Sequence, residues 1–159
     1  FHRVISFAYK RFDKQIPEFN GDITDVDNKM IDDIKKLTTK YHDFMVECSL
    51  RDALHTIFDI GRIANKYAVV TEPWNMFKVD KQRCSNILNI MLHVIGHMSC
   101  LLRPFMPTAS RRLDEMTGFR STSKDLELNK HTGSNLNVPE VLFTKITDEN
   151  IELFKKRFG

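Results

Sequence analysis

The run from about Asp80 to Arg103 constrains this chain more than any other segment. Its apolar residues fall on nearly every side of a helix, and a helix that is apolar all round must be packed by several neighbours. Asn86, Asn89, His93 and His97 interrupt it at helical spacing and form its one polar stripe. The rest of the chain shows apolar residues three and four apart and hardly any strand alternation. The expected fold is therefore all-α, a bundle of about five or six helices built around this one. Its most apolar part, Ile87 to Leu102, reads as too short and too polar to span a bilayer.

The other helices follow from the same spacing. Val4/Ile5, Ala8 and Phe12 give a first helix its stripe, and Pro17 with Asn20-Gly21 ends it in a turn. Met30/Ile31, Ile34, Leu37, Tyr41, Phe44/Met45 and Cys48 predict a second helix. Ser49 with Asp52 three residues on resembles a capping box for a third helix, whose stripe runs from Leu50 to Tyr67/Ala68. That helix must stop near Thr71, because the residue before Pro73 is pushed out of the α region. Pro104 and Pro107 bend the chain, and Pro107 suits the first turn of a helix that ends at Gly118. Residues from about 120 to 146 read as an irregular segment laid over the bundle. A last helix spans about 148–158, capped by Asp148, with Ile151, Phe154 and Phe158 to one side. The 159 residues, 42% hydrophobic and 28% charged, suffice for a single domain. Phe1 to Phe12 already reads as mid-helix, so the chain reads as truncated at its N-terminus.

A net charge of +3, from 24 basic and 21 acidic residues, permits a polyanionic partner without demanding one. Cys48, Cys84 and Cys100 lack paired spacing and lie in apolar or helical runs, which fits reduced, buried thiols in a cytoplasmic protein. His93 and His97 stand at metal-ligand spacing, but the run HVIGH lacks a glutamate and no third ligand lies nearby, so no metal is expected. The run HTGSN around Gly133 lacks the lysine and the preceding buried strand of a phosphate loop, and the run STSK, Ser121 to Lys124, reads as a polar loop. No catalytic residue is nominated.

Pro73-Trp74 is the motif that points to a ligand. It carries the chain's only tryptophan, directly after a helix bearing Asn65 and Tyr67 and one turn before Lys78. A tryptophan there either caps the core or stacks on a flat ligand such as a nucleobase. Position alone favours the core. Two classes of function follow: an RNA-binding domain, or a helical protein-interaction module docking through Trp74 and the Pro104 to Pro107 corner. Salt-dependent RNA binding separates them.

The sequences Asn65-Lys66-Tyr67, Glu72-Pro73-Trp74 with Lys78, Leu101 to Pro107 (LLRPFMP) and Leu142 to Ile146 (LFTKI) resemble the anticodon-binding domain of the methionyl-tRNA synthetase family. Arg3 to Phe7 and Lys10 to Phe12 resemble that family's first anticodon-domain helix. The likeness spans nearly the whole chain and is weakest over 21–46 and 121–138. It implies that Trp74 meets the first base of a CAU anticodon and that Arg3 helps to read the anticodon, with Asn65, Pro73 and Lys78 in support. Asn65 is expected to hold backbone where its helix ends, and Tyr67 to lie in the core. The resemblance further implies tRNA(Met) and the catalytic domain of the same polypeptide as partners. ATP and methionine would bind that other domain, leaving this chain without a cofactor, a catalytic site or a membrane role. The family's asparagine one turn before the arginine would precede Phe1, so this chain is expected to bind the anticodon more weakly than the longer protein. Ile95-Gly96-His97 and Ser121 to Lys124 are chance echoes of the family's catalytic signatures.

Overall fold

The computed structural model describes residues 1–118, 126, 128 and 133–159. Seven helices lie among them: α1 (His2–Arg11), α2 (Asp25–Val46), α3 (Leu50–Thr71), α4 (Pro73–Val79), α5 (Lys81–Leu102), α6 (Pro107–Thr117) and α7 (Asp148–Phe158). The all-α bundle holds. The added helix is α4: Pro73 does not simply break the chain but takes the first position of a new helix, where its missing N–H costs nothing. The only strand-like pairing among the described residues is a single bridge, Gln15 to Asn135.

Helix α5 is buried without a break from Cys84 to Ser99. It packs against α1, α3, α4 and α6. At 22 residues it is longer than the apolar run suggested, and by length and composition alone it could cross a membrane. In this fold 94% of its most apolar window is buried, so the bundle supplies the cover that a bilayer would otherwise give. Leu88 and Leu92 on this helix and Ile5, Ile34, Ile57 and Ile60 on others are fully enclosed in the core, each contributing about 1.5–3 kcal/mol by leaving water.

The polar stripe of α5 faces the interior and carries a specific load. Asn89 Nδ2 donates to the Pro17 carbonyl at 2.7 Å, and Ser85 Oγ to the Glu18 carbonyl at 2.6 Å. Asn86 Nδ2 donates to Asn20 Oδ1 and the Asp22 carbonyl. These bonds replace water for the backbone of the loop between α1 and α2, which lies against the core. His93 Nδ1 meets the Asn89 carbonyl at 2.8 Å, and His97 Nε2 meets Thr38 Oγ1 on α2 at 2.9 Å. The two histidines are therefore core hydrogen-bonding groups.

Helices α2 and α3 form a hairpin through Glu47 to Ser49. Cys48 turns it with φ +59° and is exposed, contrary to the expectation of three buried thiols; Cys84 is buried and Cys100 partly so. Ser49 makes no capping bond. The acidic cap forms instead at α2, where Asp27 accepts from the Thr24 N–H at 2.9 Å. Thr147, not Asp148, caps α7 by accepting from the Asn150 N–H. From Gly133 the chain crosses the bundle in extended form. Asn137 N–H donates to the Met116 carbonyl, and the Arg112 guanidinium clasps Glu140, Val141 and Leu142. The STSK run and most of HTGSN's neighbourhood before Gly133 lie outside the described residues, as does much of the irregular segment from 120 to 132.

Candidate nucleic-acid interface

The turn between α3 and α4 is built by Glu72, whose φ of +40° and ψ of +59° reverse the chain in two residues. Its carbonyl accepts from the N–H groups of Asn75 and Met76, and its carboxylate accepts from Asn75 Nδ2 at 3.0 Å. Helix α3 thus ends at Thr71, as the proline requires, with Glu72 left-handed rather than extended. Pro73 is buried, and its carbonyl accepts from the Cys84 thiol of α5 at 3.1 Å. Burial, with Asp80 nearby, pushes that thiol up to about 11, so the proton needed for this bond stays in place near neutral pH. The corner is pinned to the central helix.

Trp74 rests half-buried on the core, its remaining surface in solvent. The Arg3 guanidinium carbon lies 3.7 Å from the centre of its ring. Residues 71 positions apart are therefore one unit, a guanidinium stacked on an indole. Such a contact contributes about 0.5–2 kcal/mol according to its exposure. It restrains an otherwise mobile side chain while Arg3 stays exposed. Phe77, one turn after Trp74, meets Phe7 and Phe12 of α1 edge to face, with centroids 5.8 and 5.7 Å apart. These rings fix α1 against α4 and so fix Arg3 against Trp74.

The other nominated residues divide. Lys78 is exposed in the last turn of α4, on the same short helix as Trp74. Asn65 is exposed on α3 and makes no side-chain hydrogen bond among the described residues, so it does not hold the helix end as expected. Its position on the outer face of α3 explains this: the last carbonyls are met by Glu72 N–H and Thr71 Oγ1 instead. Tyr67 is buried, as expected, but not among apolar groups alone. Its hydroxyl donates to Asp27 at 2.6 Å, and Arg83 donates to the same carboxylate from two nitrogens at 2.6 and 2.7 Å. Burial alone would raise the Asp27 carboxyl, but the bonds from Arg83, Tyr67 and Thr24 together hold it below the usual carboxylate range. Burial, then the hydrogen bond to Asp27, raises the Tyr67 phenol, which stays protonated. Residues 27, 67 and 83 lie on three helices; sequence analysis placed Tyr67 in the core but missed Asp27 and Arg83, although the spacing Thr24-x-x-Asp27 is a helix-cap signature that marks Asp27.

The sequence profile described as the anticodon binding domain of methionyl tRNA ligase matches residues 16–159. This chain belongs to that family. The family decides between the two classes of function left open by the sequence, against the protein-interaction module. A methionine–tRNA ligase of Bacteroides fragilis is 32% identical over 155 residues, covering 95% of this chain and 22% of the relative. One from Thermococcus onnurineus is 27% identical over 153 residues, covering 96% of this chain and 21% of the relative. The chain thus spans about a fifth of the length of these relatives. The free-state crystal structure of Mycobacterium tuberculosis methionyl-tRNA synthetase superposes with a TM-score of 0.79 at 22% identity, over 89% of this chain and 30% of that one. The fold of the anticodon-binding domain is shared with it. Arg3 lies before the profile's first matched residue, and the matched range includes 21–46, where the motifs were weakest.

Proposed function

We propose that this anticodon-binding domain reads the CAU anticodon of tRNA(Met), with Trp74 stacking on the first base and Arg3 reading polar edges beside it. The observation that carries the reading is the Arg3–Trp74 stack, which joins the chain's only indole to a planar cation at the surface. A base laid on such a platform gains about 1–3 kcal/mol from stacking. The guanidinium fork, held by the ring, can bond a base edge or a phosphate without first losing its freedom. Unstacked loop bases are the part of an RNA open to such reading. Pro73 supports the platform through its bond to Cys84, and Lys78 adds positive charge one turn away.

The domain would serve a longer ATP-dependent methionine–tRNA ligase, positioning the tRNA while a catalytic domain of the same polypeptide, holding ATP and methionine, charges the distant acceptor end. The free thiols Cys48, Cys84 and Cys100 suit the reducing cytoplasm in which translation takes place.

The test is quenching of Trp74 fluorescence by a stem-loop carrying CAU, against one with its first anticodon base changed. Selective quenching, together with a fall of about tenfold or more in affinity and loss of selectivity in a folded Trp74→Ala variant, is the expected result. Equal affinity for the two loops, unchanged by the substitution, overturns the reading.

A further inference from the structure

We infer that Arg11 and Lys81 form a second, phosphate-directed contact on the RNA bound at Trp74, so that the binding track continues along the seam between α1 and α4. The inference rests on the reading above and extends it to the ligand's backbone. Arg3, Phe7 and Arg11 recur every four residues on one face of α1. Opposite them, Trp74, Phe77 and Lys81 follow along α4 into the start of α5. The rungs meet in order: Arg3 on Trp74 at 3.7 Å, Phe7 and then Phe12 on Phe77, and Arg11 over Phe77 at 5.6 Å. Lys81 Nζ lies 5.9 Å from the rings of both Phe12 and Phe77. Arg3 and Arg11, eight residues apart on one helix, stand about 12 Å apart along its axis.

Two like charges therefore converge on one ring, Phe77. Both are exposed, and no carboxylate pairs with either among the described residues. Lys36 and Lys155, by contrast, each pair with a carboxylate one turn away, Asp33 and Glu152. A pair of cations kept close without an anion is arranged for an anion that arrives, and a phosphodiester already stacked through its base on Trp74 is one within reach. Aromatic faces beneath the cations hold them at the surface without neutralising them. Asp13 and Glu18 line the same recess of about 480 Å³ as Arg11 and Lys81, with no ion pair to either among the described residues, and their charge would repel any further phosphate.

The experiment measures binding of labelled CAU and base-changed stem-loops by anisotropy across a salt series, for the 159-residue chain and for Arg11→Gln, Lys81→Gln, the double variant, Arg11→Lys and a remote control, Lys40→Gln. Each neutralisation is expected to weaken binding of the two loops equally, leaving their ratio unchanged. It should lower the slope of log affinity against log salt by about 0.7, and the double by about 1.4. Arg11→Lys and Lys40→Gln should keep the original slope. If Arg11→Gln and Lys81→Gln also keep the original slope and affinity, the inference is overturned, while selectivity for CAU in the unsubstituted chain leaves the reading of Trp74 standing. If the slopes fall as expected but the two loops bind equally, the seam contacts RNA and the base reading fails. Absence of RNA binding by the unsubstituted chain at low salt overturns both.

Discussion

Among individual residues, Asp27 bears the heaviest structural duty. Its carboxylate is wholly buried and takes bonds from Tyr67, Arg83 and Thr24, which ties α2, α3 and α5 at one end of the bundle. Asp27→Asn leaves the Arg83 guanidinium without its charge partner, so a loss of about 3 kcal/mol in denaturant unfolding is expected, since a broken buried pair costs more than the pair itself contributes. The sign of the pH effect follows from the lowered carboxyl. The folded state binds this proton less readily than the unfolded chain. Its stabilisation is therefore complete above the ordinary carboxylate range and is lost as pH falls through the lower folded value. Acid unfolding should steepen below about pH 4, and that steepening should shrink in Asp27→Asn. Because Asp27 bonds neither Trp74 nor Arg3, selectivity for CAU in the folded variant should not change; a change would mean the triad shapes the platform as well.

At the level of elements, the decisive joints are short and local. Glu72 turns α3 into α4 through a left-handed residue that is not glycine, which the sequence did not mark. Gly118 is the opposite case, read correctly as a helix stop. Its φ is +72°, and a Cβ added there would lie 2.0 Å from the Asn135 carbonyl oxygen. Backbone, not a yielding side chain, blocks that space. Gly118→Ala should therefore destabilise by about 2 kcal/mol or more, beyond the conformational cost alone. It should loosen the extended segment first. Hydrogen exchange at the Asn137 amide, which donates to the Met116 carbonyl, reports that loosening directly. Protection there equal to that of the parent chain would show that the segment can shift without loss.

For the molecule as a whole, α5 sets cooperativity, because α1, α3, α4 and α6 each lean on it. Leu92 is fully enclosed on that helix, and Leu92→Ala should cost about 3 kcal/mol, or roughly 10 °C in melting temperature. The transition should stay a single step by far-UV dichroism and tryptophan emission; a separate, earlier loss of the Trp74 signal would show that α1 and α4 unfold apart from the core. Much of this architecture was legible in the chain. Helical spacing located α2, α3 and α6 to within a few residues, and the all-round apolar character of residues 80–103 determined that they form the centre. The local motif Pro73-Trp74 marked the candidate platform. What spacing could not supply was any relation between residues far apart: that Arg3 stacks on Trp74, that Asn65 points away, or that Asp27, Tyr67 and Arg83 share one buried charge. Periodicity reports which face of a helix is apolar, whereas these pairings depend on the angle and register at which separate helices meet. Those are settled by packing against α5 and by the rings of Phe7, Phe12 and Phe77 at the seam. The sequence by itself determined every helix but α4 and which helix lies at the centre; only the tertiary structure decided which side chains became neighbours, because that depends on interhelical packing over tens of residues.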